Sequence, residues 1–416
     1  MDLKPRCQDN VATLIRRGVD IPNPLTIDLG DEVDIDRISS KGVRIYPGCR
    51  IYGKETVISS GVRIGHEGPV TIEDCQLGPQ VELKGGFFAR SVFLEKANLG
   101  SGAQVREGCI LEEEANGAHC VGIKQTILFP FVTLGSLINF CDCLMSGGTS
   151  RKHHSEVGSS YIHFNFTPEG DKTTASLIGD VPRGVMLNQP PIFLGGQGGI
   201  VGPIRMGFGN VVAANSVLRT DYPEDNNLIV GKPLAEKKVP YVPRAYPGLR
   251  RILEDNILYL ANLMALEEWY RQVRRPFFGS QEFGPLVFAG LLDKLELAKK
   301  ERVKRLQVLA EKVKGLSSRS GEPGPDAAFK NLLSEKFPEL EALFASPLQD
   351  GVAFCLREEF LAAFEKTAPS GAGYIEAIQG LPGAVSERGT AWLQRLVDRF
   401  CEQAAGILSA SQLFGG

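Results

Sequence analysis

The sequence has only two tryptophans and five histidines among 416 residues, and no excess of either charge sign. Forty-six Lys and Arg face 49 Asp and Glu, a formal charge of −3, so no general polyanion-binding surface and no nucleic-acid partner is expected. No run of 18 apolar residues occurs, which argues against a membrane span. The opening MDLKPRCQDNVATLIRRG lacks the continuous apolar stretch of a secretory signal. Nine cysteines, an odd number without zinc-type spacing, fit a reducing cytoplasm better than a disulfide framework. Cys141 and Cys143 would point the same way from a strand and read as small core residues.

Glycine, by contrast, is abundant and unevenly placed. Of 47 glycines, 31 lie in residues 1–240, with all five histidines, whereas both tryptophans fall beyond. With 43% hydrophobic residues the chain can build a sizeable core, and its length suits two or three domains. Three segments are expected: a lead-in over 1–26, a repeat region over 27–237 with an inserted loop region at 146–198, and a helical domain over 238–416.

The repeat region reads in six-residue steps opening on a branched apolar residue. Examples are Val43-Arg44-Ile45-Tyr46-Pro47-Gly48, Leu77-Gly78-Pro79-Gln80-Val81-Glu82 and Leu99-Gly100-Ser101-Gly102-Ala103-Gln104. A helix of period 3.6 cannot keep that register. Short strands with tight bends can, with glycine supplying positive φ at the bends. Three hexapeptides close one triangular turn, and each turn covers the next. The segment resembles the hexapeptide-repeat, left-handed parallel β-helix family, and about ten coils fit in 27–234. The fold expected is therefore mainly β, a left-handed β-helix followed by an α-helical domain. A sandwich would show strands at 8–12-residue spacing and more aromatics.

The repeat breaks after Ser146-Gly147-Gly148-Thr149-Ser150. Loops inserted into a rigid scaffold are where function concentrates. Here Asn139-Phe140 is followed by Lys152-His153-His154-Ser155-Glu156-Val157-Gly158, Asn165-Phe166, Gly170-Asp171-Lys172, Ile178-Gly179-Asp180 and Gly231-Lys232-Pro233. That order is similar to the acetyltransferase half of the bifunctional N-acetylglucosamine-1-phosphate uridyltransferases.

The resemblance implies acyl transfer from acetyl-CoA, as co-substrate rather than tightly bound cofactor, to an amino sugar in the UDP-N-acetylglucosamine pathway. It also implies a homotrimer. Histidine has the pKa to take the amine proton, so His153 and His154 are the catalytic candidates. The two point oppositely in extended backbone, so one of them would face a cleft. Arg151, Lys152, Ser155, Asn139, Asn165 and Lys172 are the candidate substrate contacts. The family's paired lysines fall on Leu144 and Met145 here, and its nucleotide-binding half has no counterpart. The competing reading is a non-catalytic sugar-nucleotide-binding or assembly protein. No metal site is expected: His153, His154 and His163 lie close in sequence, but no carboxylate or cysteine completes a zinc spacing, and His163 reads as structural. Gly195-Gly196-Gln197-Gly198-Gly199 reads as a bend of the β-helix, because no helix carrying Lys-Ser/Thr follows it.

Beyond the proline-rich stretch 238–248, apolar residues recur at helical spacing over 249–273 and 286–315. An exposed loop is expected at 317–325, with shorter helices near 326–346, 351–366, 371–380 and 385–410. No histidine and no catalytic motif lies there. A cover for the β-helix, or a subunit joint, is the expected role.

Overall fold

The computed structural model describes residues 6–232, 235–241, 246, 248–314, 325–346, 350–369, 371–408 and 413–414. The expected loop at 317–325, apart from Pro325, lies outside these residues, as do Pro233 and much of the 238–248 stretch.

The repeats form the expected left-handed parallel β-helix, of about 11 turns. Each coil lays one short strand on each of three faces. The first face stacks ten strands in parallel, from Arg44–Ile45 to Leu228–Ile229. The second begins at Asp28–Leu29 and the third at Val57–Ile58. These two merge into one 16-stranded sheet because Val121–Leu128 and Ile138–Met145 each run through the corner between them.

Register explains the interior. On the second face Ile51, Ile72, Phe88, Val105, Ile123 and Phe140 stack inward, each on its equivalent one coil away. The corners differ from expectation in one respect: many carry a non-glycine residue at positive φ. Gln80, Lys96 and Glu114 all lie at φ 58°. Such backbone costs roughly 1–2 kcal/mol per residue. Part of the compensation is visible, since each donates its N–H to the coil below, to Ser60 O, Pro79 O and Glu95 O at 2.8–2.9 Å.

The three faces are not equivalent. On the first, outward residues such as Arg44, Arg63, Glu82 and Asn98 reach solvent over inward Ile45, Ile64, Leu83 and Leu99. On the third, the outward row is itself covered and, Gln76 apart, apolar from Val57 to Leu177. Val57, Val92, Ile110, Ile127, Leu144 and Leu177 are each at most 4% exposed. After two short helices, α1 (Gln8–Arg17) and α2 (Val181–Gly184), the helical region supplies the cover: α3 (Leu249–Trp269) lies on Ser176–Ile178, and α5 (Gly284–Val313) on Gln76–Leu77 and Val92–Phe93. The approach is close at Gly290, where a Cβ would sit 2.4 Å from Gln76 Oε1. A fully buried aliphatic side chain contributes roughly 1.5–3 kcal/mol, so this row is a main bond between the two halves.

Between α3 and α5 a five-residue π segment, Tyr270–Arg274, and the short α4 (Arg275–Phe278) turn the chain. Beyond α5 come α6 (Pro325–Ala345), α7 (Gly351–Thr367), α8 (Tyr374–Gln379) and α9 (Gly383–Ile407). Trp269, Phe360 and Trp392 form their aromatic centre, with ring centroids 5.7–6.5 Å apart. Among the described residues no helix is long and apolar enough to cross a membrane.

Candidate functional site

Two insertions leave the β-helix around residue 160. One is the antiparallel hairpin Gly148–Ser150/His153–His154, at the corner between the third and first faces. The other is the loop 165–175, at the corner between the second and third.

The hairpin depends on Gly148. Its φ is +94°, and a Cβ there would lie 2.5 Å from His154 Cα. His153 is exposed, with Nδ1 3.1 Å from Thr149 Oγ1. His154 is partly buried, its Nδ1 2.9 Å from Arg151 O and its Nε2 3.6 Å from Glu156 Oε2. The two rings thus have different surroundings, as their alternation predicts.

Two neighbours are engaged in building the corner. Arg151 Nη1 donates to Glu114 O, Phe131 O and Thr133 Oγ1 at 2.9–3.1 Å, tying the hairpin to earlier coils. Ser155 is fully buried, donating to Ser146 O at 2.8 Å and accepting from Ile192 N at 2.9 Å. Lys152 is exposed.

Across the covered third face, Asn165 is half-buried and donates from Nδ2 to Asp142 Oδ2 at 3.0 Å. Lys172 is exposed, with its carbonyl accepting from Arg302 of α5. Asn139 points outward from the second face, and its Oδ1 accepts from Cys141 Sγ. Within one chain, then, the histidines and the Asn165–Lys172 pair flank the third face on opposite corners.

Leu144 faces outward beneath the helices and Met145 inward, in register with Leu128 and Ile178, both 0% exposed. Cys141 and Cys143 do not share a direction. Asp142, at φ +59°, turns the strand between them, leaving Cys141 partly exposed and Cys143 buried. Burial pushes the Cys141 thiol up to about 11, so neither sulfur is a ready thiolate.

His163 occupies an inward position in register with Ile200, its ring edge-on to Phe140 and its Nε2 2.8 Å from Ser176 Oγ. Desolvation pushes its pKa down to about 4. The unfolded chain therefore binds a proton that the folded chain refuses between pH 6.5 and 4. This contribution to stability is complete at neutral pH and falls away as pH drops through that window, by about 3 kcal/mol at its end. Urea titrations from pH 7 to 4 should show His163→Gln losing less stability than the unaltered protein. Parallel curves would contradict the buried neutral imidazole.

His66 and His119 are exposed, one against Tyr46 and the other bonded to Ser136 Oγ. The Gly195–Gly199 run forms a corner between the first and second faces. Among the described residues no three His, Cys, Asp or Glu side chains gather as a metal site would require.

No family model matches the chain. Curated proteins do. Over 219 residues it is 27% identical to the bifunctional protein GlmU of Thermotoga maritima, covering 51% of this chain and 42% of the relative. About half of this chain is similar to GlmU. The GlmU proteins of Carboxydothermus hydrogenoformans and Staphylococcus haemolyticus are each 26% identical, over 211 and 212 residues, with the same two coverages. The chain thus spans about two-fifths of the length of the GlmU relatives it matches.

Sequence reasoning singled out the hairpin and the loop but missed what holds them. Asp142, Arg302 and Lys312 lie outside any motif. For Asp142 and Arg302 the signal would have been charged residues at positions that pattern as buried, on a strand corner and on the packed face of α5.

Proposed function

We propose that the protein is an acyltransferase acting on an amino sugar or sugar nucleotide, with acetyl-CoA as donor. The observation that carries this is His153, presented on a rigid hairpin with Nδ1 held by Thr149. When Nδ1–H donates to Thr149 Oγ1, Nε2 keeps its lone pair and faces outward as a general base. The acceptor amine attacks the thioester carbonyl, a C–N bond forms, and the C–S bond breaks. His153 Nε2 takes the amine proton and returns it to the departing thiolate. Lys152, exposed next to it, suits a phosphate. The likeness to GlmU over half the chain supports the same chemistry. Because Asn165 and Lys172 lie on the far corner, completing the site would fall to a second copy, in keeping with a trimer.

A second reading, a sugar-nucleotide binder without transferase chemistry, draws on Arg151 and Ser155 being structural and on Leu144 and Met145 being covered. Calorimetric titration with acetyl-CoA and with UDP-N-acetylglucosamine separates the two, together with CoA thiol release in the presence of glucosamine 1-phosphate. The transferase reading expects both ligands to bind and His153→Ala to cut thiol release about 100-fold or more. Sugar-nucleotide binding without acetyl-CoA binding or thiol release would leave the second reading standing. Binding of neither ligand would reject both.

A further inference from the structure

We infer that α5 is a positioning element for the substrate loop: Arg302 and Lys312 set Asn165 and Lys172 to receive the phosphorylated part of a sugar nucleotide. This rests on the sugar-nucleotide reading above and adds to it a role for the helical domain beyond covering the β-helix.

Two chains of contacts run from α5 into the loop 165–175. In the first, Arg302, 2% exposed, forms a short ion pair with Asp142, itself 6% exposed. The other oxygen of Asp142 accepts from Asn165 Nδ2. An ionised carboxylate accepts and cannot donate, so Asn165 must turn its NH2 toward Asp142. Its Oδ1 is thereby turned away from the pair, as an acceptor for a hydroxyl or amide N–H of a ligand. Arg302 also donates from Nη1 to Lys172 O at 3.2 Å, fixing the backbone that carries the Lys172 ammonium.

In the second, Lys312 Nζ lies 2.7 Å from Asp171 Oδ1 and 2.7 Å from Glu169 O. Asp171 is 6% exposed and directly precedes Lys172. With its charge offset by Lys312, and Glu169 Oε1 accepting from Tyr241 Oη at 2.8 Å, the loop's two acids are engaged. Lys172 is left as an exposed cation, which suits a phosphate. A third tie comes from α3, where Asn256 Nδ2 donates to Thr173 O at 3.1 Å.

The test uses the full chain and UDP-N-acetylglucosamine as probe. Arg302 alone is a hazardous target, because removing it strands the buried Asp142 carboxylate. The informative variants are therefore the charge-deleted pair Asp142→Asn with Arg302→Gln, the conservative Arg302→Lys, and Lys312→Gln. Each is followed by amide hydrogen exchange and by calorimetry. In the deleted pair and in Lys312→Gln, exchange over 165–175 should quicken about tenfold while the strand Val121–Leu128 keeps its protection. Affinity for the probe should fall about tenfold in both, and Arg302→Lys should recover part of it. His153→Ala should leave loop exchange unchanged. Unchanged exchange in the variants would overturn the inference, and so would faster exchange with unchanged affinity. An unaltered protein that binds no sugar nucleotide overturns the reading underneath, a failure distinguishable because it precedes any substitution.

Discussion

Replacing Arg274 by methionine is expected to lower stability by about 3–5 kcal/mol, the usual loss when one partner of a buried ion pair is removed. Arg274 ends the π segment and is 1% exposed. One guanidinium nitrogen lies 2.7 Å from Glu112 Oε2, and another pairs closely with Glu113. Tyr270 Oη donates to the remaining oxygen of Glu112. The guanidinium also stacks over Tyr374 at 3.8 Å, and Tyr374 Oη accepts from Trp269 Nε1 at 2.9 Å. The cluster thus fastens a β-helix corner to the aromatic centre of the helices. Tyr270 and Arg274 both reach Glu112 from one stretch of helix whose backbone hydrogen bonds span one residue more than in an α-helix.

Taking Arg274 away leaves two adjacent carboxylates in a dry interface. Burial already raises the pKa of Glu112, against the pull of Arg274. Without that pull, Glu112 should hold its proton well above the usual carboxylate range. A folded-state pKa raised above the unfolded one stabilises below the unfolded pKa and loses its effect as pH rises. The deficit of Arg274→Met should therefore be smaller at pH 5 than at pH 8 in urea unfolding. Adding Glu112→Gln and Glu113→Gln should restore most of it. An equal deficit at both pH values would mean that the carboxylates are not its source.

The β-helix was legible because every coil repeats one demand, an apolar residue inward at fixed spacing, and the series Ile51 to Phe140 meets it coil after coil. The long helices were legible for a similar reason. The periodic stretches 249–273 and 286–315 contain the observed Leu249–Trp269 and most of Gly284–Val313. Less legible was the relation between the halves, although its signal is local. First-face pairs read Arg44-Ile45, Arg63-Ile64 and Glu82-Leu83, whereas third-face pairs read Val57-Ile58, Val92-Phe93 and Ile110-Leu111. A run of strand pairs apolar on both sides calls for a cover, which the third face has, although on the first face Val211 and Leu228 are apolar, outward and 43% and 72% exposed. Set in that row, Leu144 continues the ladder that receives the helices, while Met145, in register with Leu128 and Ile178, faces the interior of the β-helix. The site itself was only partly legible, since motif matching finds residue types and not their partners. Arg151 and Ser155 fit a motif, yet their hydrogen bonds serve the corner. Arg302 fits none, and it reaches the loop through Asp142 from 160 residues away.

The same logic gives the second large effect. Leu144→Lys, which would place a lysine where the similar family carries one, should destabilise the protein by about 4 kcal/mol or more and confer no sugar-phosphate binding. Leu144 lies between Ile127 and Leu177 on the outward row, 0% exposed. The nearest carboxylate along the strand, Asp142, is already paired with Arg302 and bonded to Asn165. A buried ammonium without a partner gives up its proton more readily, so its folded-state pKa falls below the unfolded value. A base depressed in this way destabilises most at low pH, and the penalty should shrink as pH rises from 7 to 9. Gln104→Lys, exposed on the second face, is the matched control and should change stability by no more than about 0.5 kcal/mol. If Leu144→Lys proved as stable as that control, the helices would not cover the third face in solution. If the large loss and its pH dependence appear together, this surface serves packing here.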